Sequence, residues 1–142
     1  MSLSPFRLVF GVIGDDIHVV ANRVLEICIC ESGIMAVNLG TNNSPESFVD
    51  AACEIEAHAV LVSSLNGEGE HWCNNFRKRF DEIGREDILL YIGGNLVIGD
   101  RSKNKVIKLF TSFGFNRVFF RETNFNDMIK LLIRDLSDGI SK

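Results

Sequence analysis

The sequence predicts an α/β protein in which one five-stranded parallel sheet lies between two layers of helices. Short apolar segments recur at helix-sized intervals, helical patterns fill those intervals, and the two alternate strictly along the 142-residue chain. Strict alternation is typical of parallel sheets with right-handed crossovers and helices on both faces. For five βα units in a chain of this length we expect the flavodoxin-like (Rossmann-like) strand order 2-1-3-4-5.

The five predicted strands are short and apolar on both faces, as is typical of strands that helices cover on both sides. They span residues 8–13, 35–39, 59–63, 88–92 and 117–120. The chain shows no linker, repeat or low-complexity segment. We therefore expect a single domain over residues 1–142, with a core over about residues 7–137.

The predicted helices lie between these strands, at residues 21–31, 45–55, 71–83, 103–113 and 125–136. Ser32-Gly33 is a C-terminal capping signal for the first helix. Ser44-Pro45 opens the second helix, with serine as the N-cap and proline at the first helical position.

The composition excludes several classes of function. The net charge is −4, and the lysines and arginines are scattered, which argues against a nucleic-acid partner. No apolar run approaches the roughly 18 residues of a membrane span, and the first residues lack the apolar core of a signal peptide. We expect a cytoplasmic protein with neither a nucleic-acid nor a membrane partner. Because the four cysteines show no Cys-x-x-Cys spacing, we interpret them as buried free thiols.

Three segments are predicted to meet at the carboxyl ends of the strands, where a sheet of this topology binds its ligands. They are residues 14–22, 63–70 and 93–95. The first contains Asp16 and His18, a spacing that lets a carboxylate orient an imidazole whose other nitrogen ligates a metal. The other two carry glycines, which let a ligand lie close to the backbone. Each segment taken alone also fits ordinary surface or turn chemistry.

Other functions of this fold fit the same edge poorly. A phosphorylated receiver domain needs an aspartate at the end of the third strand, where this chain has Ser63-Ser64. A flavin mononucleotide site would need a serine- and threonine-rich loop after the first strand, where Asp15 and Asp16 would repel phosphate. Gly11-Val12-Ile13-Gly14 does not match the Gly-x-Gly-x-x-Gly pattern of dinucleotide sites.

Three motifs in order resemble the cobalamin-binding signature Asp-x-His-x-x-Gly, Ser-x-Leu and Gly-Gly. They are Asp16-x-His18 after the first strand, Ser63-x-Leu65 at the end of the third, and Gly93-Gly94 at the end of the fourth. The chain is most similar to the small subunit (S chain) of glutamate mutase, also called methylaspartate mutase, over about residues 8–136. One position departs from the signature, since Ala21 stands where the signature has its last glycine.

The resemblance implies a site in which the dimethylbenzimidazole base of cobalamin leaves the cobalt and the nucleotide tail enters the protein. His18 would be the lower axial ligand of the cobalt, and Asp16 would orient its imidazole. Ser63 and Leu65 would contact the displaced base, and Gly93-Gly94 would leave room for the tail. The implied set of cofactor-binding residues is Asp16, Ile17, His18, Val19, Ser63, Leu65, Gly67, Gly93, Gly94 and Asn95.

The resemblance further implies adenosylcobalamin as the cofactor and an isomerase reaction, the radical interconversion of glutamate and 3-methylaspartate. The sequence offers no evident amino-acid substrate site and no catalytic residue. We therefore expect a larger, barrel-type catalytic subunit that closes over the upper face of the corrin in a heterotetramer-like assembly.

Two alternatives remain at this stage. A corrinoid carrier for methyl transfer usually places an N-terminal helical bundle over the corrin, and a first strand that begins near Leu8 leaves no room for one. A degenerate scaffold domain that no longer binds cobalamin is favoured only by Ala21. At that position a methyl group would strain a positive φ or crowd the cofactor.

Overall fold

The computed structural model describes residues 5–14, 19–65, 68–96 and 100–138. Its sheet has five strands, all parallel, in the order β2-β1-β3-β4-β5. The predicted fold class and strand order are confirmed. The strands are β1 (Arg7–Val12), β2 (Met35–Asn38), β3 (Ala59–Ser64), β4 (Leu89–Gly94) and β5 (Arg117–Val118). The helices are α1 (Val19–Ser32), α2 (Pro45–Ile55), α3 (Gly69–Cys73), α4 (Phe76–Asp81), α5 (Lys103–Ser112) and α6 (Phe125–Asp138).

Two hydrophobic clusters cover the two faces of the sheet. One packs α2, α4 and α5 against the sheet and includes the fully buried rings of Phe48, Phe76 and Phe110. The other packs α1 and α6 against the opposite face and includes Leu25 and Leu132. Because successive side chains of a strand point to opposite faces, β3 contributes Val60 and Val62 to the first cluster, and Ala59 and Leu61 to the second.

The local capping signals are confirmed where they were predicted. The hydroxyl oxygen of Ser44 accepts a hydrogen bond from the backbone N–H of Ser47, and Pro45 is the first residue of α2. Gly33 follows α1 with a φ of 82°. No helix in the described ranges is long and apolar enough to cross a membrane.

The single helix predicted over residues 71–83 is wrong. Two short helices, α3 and α4, occupy this region, and Asn74 and Asn75 separate them. Asn75 has a φ of 61°, a left-handed conformation that asparagine tolerates better than most residues and that ends helical hydrogen bonding. Cys73 of α3 and Phe76 and Phe80 of α4 are all buried, so both short helices contribute to the core.

The prediction of buried thiols holds only for Cys73. Cys30 and Cys53 are exposed and Cys28 is half-buried. All four are free. Cys30 and Cys53 lie on the outer faces of α1 and α2, whose opposite faces already fill the core with larger apolar side chains.

Candidate functional site

Six of the ten predicted cofactor-binding residues belong to the described part of the chain: Val19, Ser63, Leu65, Gly93, Gly94 and Asn95. All six line one or both of two adjoining cavities at the carboxyl end of the sheet. The other four, Asp16, Ile17, His18 and Gly67, lie outside the described residues.

The inner cavity has a volume of about 120 Å³ and lies between β3, β4, α1 and α6. Its lining consists of Ala21, Leu25, Leu61, Val62, Ser63, Leu65, Gly93, Gly94, Phe119, Phe120, Arg121, Thr123, Phe125 and Met128. The outer cavity, about 430 Å³, is lined by Val19, Val20, Ala21, Leu65, Asn95 and Arg121. Ala21, Leu65 and Arg121 line both cavities and mark the junction between them.

The register of the sheet creates the inner cavity. Ser63 of β3 lies beside Gly93 of β4, and Ser64 lies beside Gly94. Because Gly93 has no side chain, the space next to Ser63 stays open. A Cβ at Gly93 would meet only the Cβ and the carbonyl oxygen of Phe119, at 3.5 and 3.7 Å, which are ordinary contact distances.

Gly94 has a different role. Its φ is 122°, and a Cβ there would overlap the carbonyl group of Ser64. Only glycine allows β4 to approach β3 so closely at this point. The turn that follows is fixed by the hydrogen bond from the backbone N–H of Asn95 to the carbonyl oxygen of Ser64, at 2.8 Å.

The two serines at the end of β3 point in opposite directions. Ser63 lines the inner cavity, whereas the Ser64 hydroxyl is buried beneath α3, close to Gly69 and Phe110. The Ser64 hydroxyl has no hydrogen-bond partner among the described residues. Ser63 therefore supplies a hydroxyl to the wall of the inner cavity, and Ser64 belongs to the opposite layer.

The inner cavity suits a flat, largely apolar group. Its walls are mostly aliphatic and aromatic, and the hydroxyls of Ser63 and Thr123 offer hydrogen bonds to a ring nitrogen. An apolar cavity of about 150 Å³ accommodates benzene. The inner cavity, at about 120 Å³, is of the same order, and the adjoining outer cavity would hold the part of a ligand that extends beyond it.

The strand-side end of the segment that carries Asp16 and His18 is fixed by Asn43. The N–H of Gly14 donates to the carbonyl oxygen of Asn43 at 2.7 Å, and the N–H of Asn43 donates to that of Val12 at 3.1 Å. The Asn43 side-chain amide also donates to the carbonyl oxygens of Val12 and Gly40. The chain is thus held rigidly up to Gly14.

The helix-side end of the same segment is fixed by a pair of asparagine side chains. Asn22, buried in the first turns of α1, donates to the side-chain oxygen of Asn38 at 3.0 Å and accepts from its amide at 2.8 Å. Asn38 also donates to Glu26, and this bond holds the pKa of the Glu26 carboxyl below its usual value. Asn22, Asn38 and Asn43 are positioning residues that the sequence did not single out, because their partners lie 12 or more positions away or on the backbone.

Trp72, the single tryptophan of the chain, packs against Gly14. A Cβ at Gly14 would overlap the pyrrole edge of the indole, and the indole N–H donates to Glu68 at 3.2 Å. Trp72 therefore covers the last described residue before the Asp16-x-His18 motif.

Ala21 departs from the signature without straining the backbone. It lies in the first turn of α1, and its φ is not positive. The described non-glycine residues that have a positive φ are Asn42, Glu56 and Asn75. Alanine is the most favourable residue in a helix. Its methyl group lines the junction of the two cavities, so any effect on a ligand is steric.

Known glutamate mutase sigma subunits are similar in sequence to this chain. The glutamate mutase sigma subunit of Carboxydothermus hydrogenoformans is 46% identical over 134 residues, which cover 94% of this chain and 98% of that protein. The glutamate mutase sigma subunit of Treponema denticola is 42% identical over 132 residues, or 93% and 95% of the two chains. No family model matches the chain.

Solved structures share the fold at low sequence identity. A cobalamin-binding protein from Desulfitobacterium hafniense superposes with a TM-score of 0.73 at 18% identity, over 96% of this chain and 60% of that one. A response regulator from Thermotoga maritima superposes with a TM-score of 0.66 at 14% identity, over 93% and 98% of the two chains. Both likenesses concern the fold, so the assignment depends on the sequence relatives and on the residues at the carboxyl edge.

Proposed function

This chain belongs to the glutamate mutase sigma subunit family, and we propose that it is the cobalamin-binding subunit of an adenosylcobalamin-dependent carbon-skeleton mutase. One observation carries the proposal. The six described residues of the predicted site, which come from three separate segments, line two adjoining cavities at the switch point of the sheet.

The residues present fit the nucleotide tail of a cobalamin. The inner cavity is apolar, has two hydroxyls in its lining, and is lined by Gly93, which adds no side chain to it. The outer cavity is wider and has an exposed apolar wall, since Val19 is 52% and Val20 74% exposed. We infer that the displaced base enters the inner cavity and that the corrin lies over the outer one.

In this proposal Ser63 hydrogen-bonds a ring nitrogen of the base, and Leu65 packs at the junction between base and corrin. Gly93 and Gly94 form the floor of the inner cavity, while Ile17, Val19, Gly67 and Asn95 contact the cofactor around its rim. His18 ligates the cobalt, and Asp16 fixes the tautomer and orientation of the His18 imidazole. When bound, adenosylcobalamin supplies the radical that starts the rearrangement of glutamate to 3-methylaspartate.

The chain's own task is then to hold and orient the cofactor. Asn43 fixes the backbone at Gly14 on one side of the Asp16-x-His18 motif, and Asn22 fixes the start of α1 on the other. The substrate site belongs to a partner, which we propose to be a barrel-type catalytic subunit in a heterotetramer-like assembly. The exposed Val19 and Val20 support such a partner, because apolar side chains at the mouth of a ligand site favour a covering surface.

The test is an electron paramagnetic resonance spectrum of cob(II)alamin mixed with the purified chain, with and without ¹⁵N-imidazole histidine. We expect a superhyperfine pattern that changes with the label and is lost in His18→Ala. His71→Ala is the matched control, because His71 lies on α3 and lines neither cavity. A spectrum of free, benzimidazole-ligated cobalamin in the wild type would overturn the proposal and favour a scaffold domain.

A further inference from the structure

We infer that Arg121 binds the phosphodiester of the cofactor's nucleotide tail. The inference rests on the proposed function and goes beyond it, since Arg121 belongs to none of the motifs that predicted the site. Arg121 follows β5, and it lines both the inner and the outer cavity.

Arg121 is the one charged residue among the described residues that line the two cavities. The other lining residues of the inner cavity are apolar, glycine, serine or threonine, and those of the outer cavity are apolar or asparagine. A single guanidinium in an otherwise uncharged cavity favours an anionic group on the ligand. The chain as a whole has a net charge of −4, so a general attraction for anions does not explain its place.

The position of Arg121 also matches the order of groups in the ligand. A cobalamin tail has an aromatic base at one end, the corrin at the other, and one phosphodiester between them. The inner cavity suits the base and the outer cavity suits the corrin, which leaves the phosphodiester at their junction. Arg121 lies at that junction with Ala21 and Leu65, neither of which can neutralise an anion.

The neighbouring acid is paired elsewhere. Glu122 accepts an ion-paired hydrogen bond from Lys103, whose ammonium group also lies 5.1 Å from the centre of the Phe120 ring. This bond, with a weaker attraction from Arg121 itself, holds the pKa of the Glu122 carboxyl below its usual value. Within the described residues, Arg121 has neither a hydrogen bond nor an ion pair, and its side chain is exposed. Among the described residues, no hydrogen bond or ion pair of its guanidinium has to break before it binds an anion.

The test compares Arg121→Gln with the wild type in binding cobalamin and cobinamide, which has the corrin but lacks the phosphodiester, ribose and base. Absorbance titration gives a Kd for each pair. We expect Arg121→Gln to raise the Kd for cobalamin about tenfold and to leave that for cobinamide within about twofold of the wild type. Arg121→Lys, which keeps a positive charge, should recover part of the loss. Lys130→Gln on the exposed face of α6 removes the same charge away from both cavities and should bind as the wild type does.

Each outcome decides the inference. An unchanged Kd for cobalamin in Arg121→Gln, or an equal loss for both ligands, would overturn it. Failure of the wild type to bind cobalamin would instead contradict the proposed function itself. The far-ultraviolet circular dichroism and unfolding midpoint of Arg121→Gln should match those of the wild type, because the side chain is exposed and has neither a hydrogen bond nor an ion pair among the described residues.

Discussion

The carboxylate of Asp135 in α6 accepts two parallel hydrogen bonds from the guanidinium of Arg117 in β5, at 2.6 and 2.9 Å. The Tyr91 hydroxyl of β4 donates to the same carboxylate, and Asp135 is only 4% exposed. The network ties α6 to the two strands beside it. Because Phe125 and Met128 of α6 line the inner cavity, the network also holds one wall of the site in place.

Asp135→Asn should lower the free energy of unfolding by about 2 kcal/mol, because it removes the charge that two buried or half-buried donors are oriented to meet. Urea unfolding of the wild type and the variant measures the change. Asp138→Asn, at the exposed end of the same helix, is the control and should cost less than about 0.5 kcal/mol. Equal costs for the two variants would show that the network adds no stability.

The same network predicts a dependence of stability on acid. The hydrogen bonds from Arg117 hold the pKa of Asp135 below its ordinary value, so the unfolded chain binds the proton first. The stabilisation is complete above the unfolded pKa of about 3.9 and is lost as the pH falls through the lower, folded pKa. Thermal unfolding should be measured between pH 6 and pH 2. We expect the difference in melting temperature between the wild type and Asp135→Asn to shrink below about pH 4. A gap that stays constant down to pH 2 would contradict this.

Alanine substitutions at the two adjacent glycines of β4 should have different effects: one should lower stability and the other should weaken cobalamin binding. Gly94→Ala places a methyl group on the Ser64 carbonyl at a φ of 122°, and should cost about 3 kcal/mol of stability or more. Gly93→Ala meets only ordinary contacts and should keep the wild-type stability, but its methyl group narrows the inner cavity beside Ser63. We expect Gly93→Ala to bind cobalamin at least tenfold more weakly while unfolding as the wild type does.

Urea unfolding and an absorbance titration of each glycine variant measure these two effects. A stable Gly94→Ala would mean that β4 can move away from β3 at no cost. Wild-type affinity in Gly93→Ala would mean that the tail does not enter the inner cavity.

The amide pair of Asn22 and Asn38 should be cooperative. Asn22→Ala removes two hydrogen bonds from a buried site and should cost about 2 kcal/mol. Asn38→Ala also removes the acceptor for the N–H of Gly40 and should cost more. A double-mutant cycle measured by urea unfolding should give a coupling of about 1 kcal/mol, and strictly additive losses would contradict the pairing.

Trp72 should report cofactor binding directly. It is the only tryptophan, it packs against Gly14, and the segment that carries His18 follows. Corrins absorb where tryptophan emits, so bound cobalamin should quench its fluorescence by energy transfer. A titration should saturate at one cobalamin per chain and give the Kd found by absorbance. A parallel titration of N-acetyltryptophanamide corrects for the light that free cobalamin absorbs. If the emission of Trp72 falls no further than the emission of this control, the corrin binds away from α3.

The fold was predictable from the sequence because its signals are local. Apolar strand segments, the Ser44-Pro45 cap and Gly33 depend on residues within a few positions of one another, and they are confirmed. The carboxyl-edge position of Ser63 and Gly93-Gly94 then followed from strand order alone. The one helix that was predicted wrongly, over residues 71–83, was interrupted by the left-handed Asn75, which the periodicity of its neighbours does not indicate.

The sequence by itself thus determined the strand order and the place of Ser63 and Gly93-Gly94 at the carboxyl edge of the sheet. Only the tertiary structure decided which side chains meet there. The pairing of Asn22 with Asn38, the packing of Trp72 on Gly14, the tie between Asp135 and Arg117 and the place of Arg121 at the junction of two cavities all join residues from different elements. Such contacts depend on how helices pack against a twisted sheet. A sequence pattern within one segment does not give the distance in space between that segment and another.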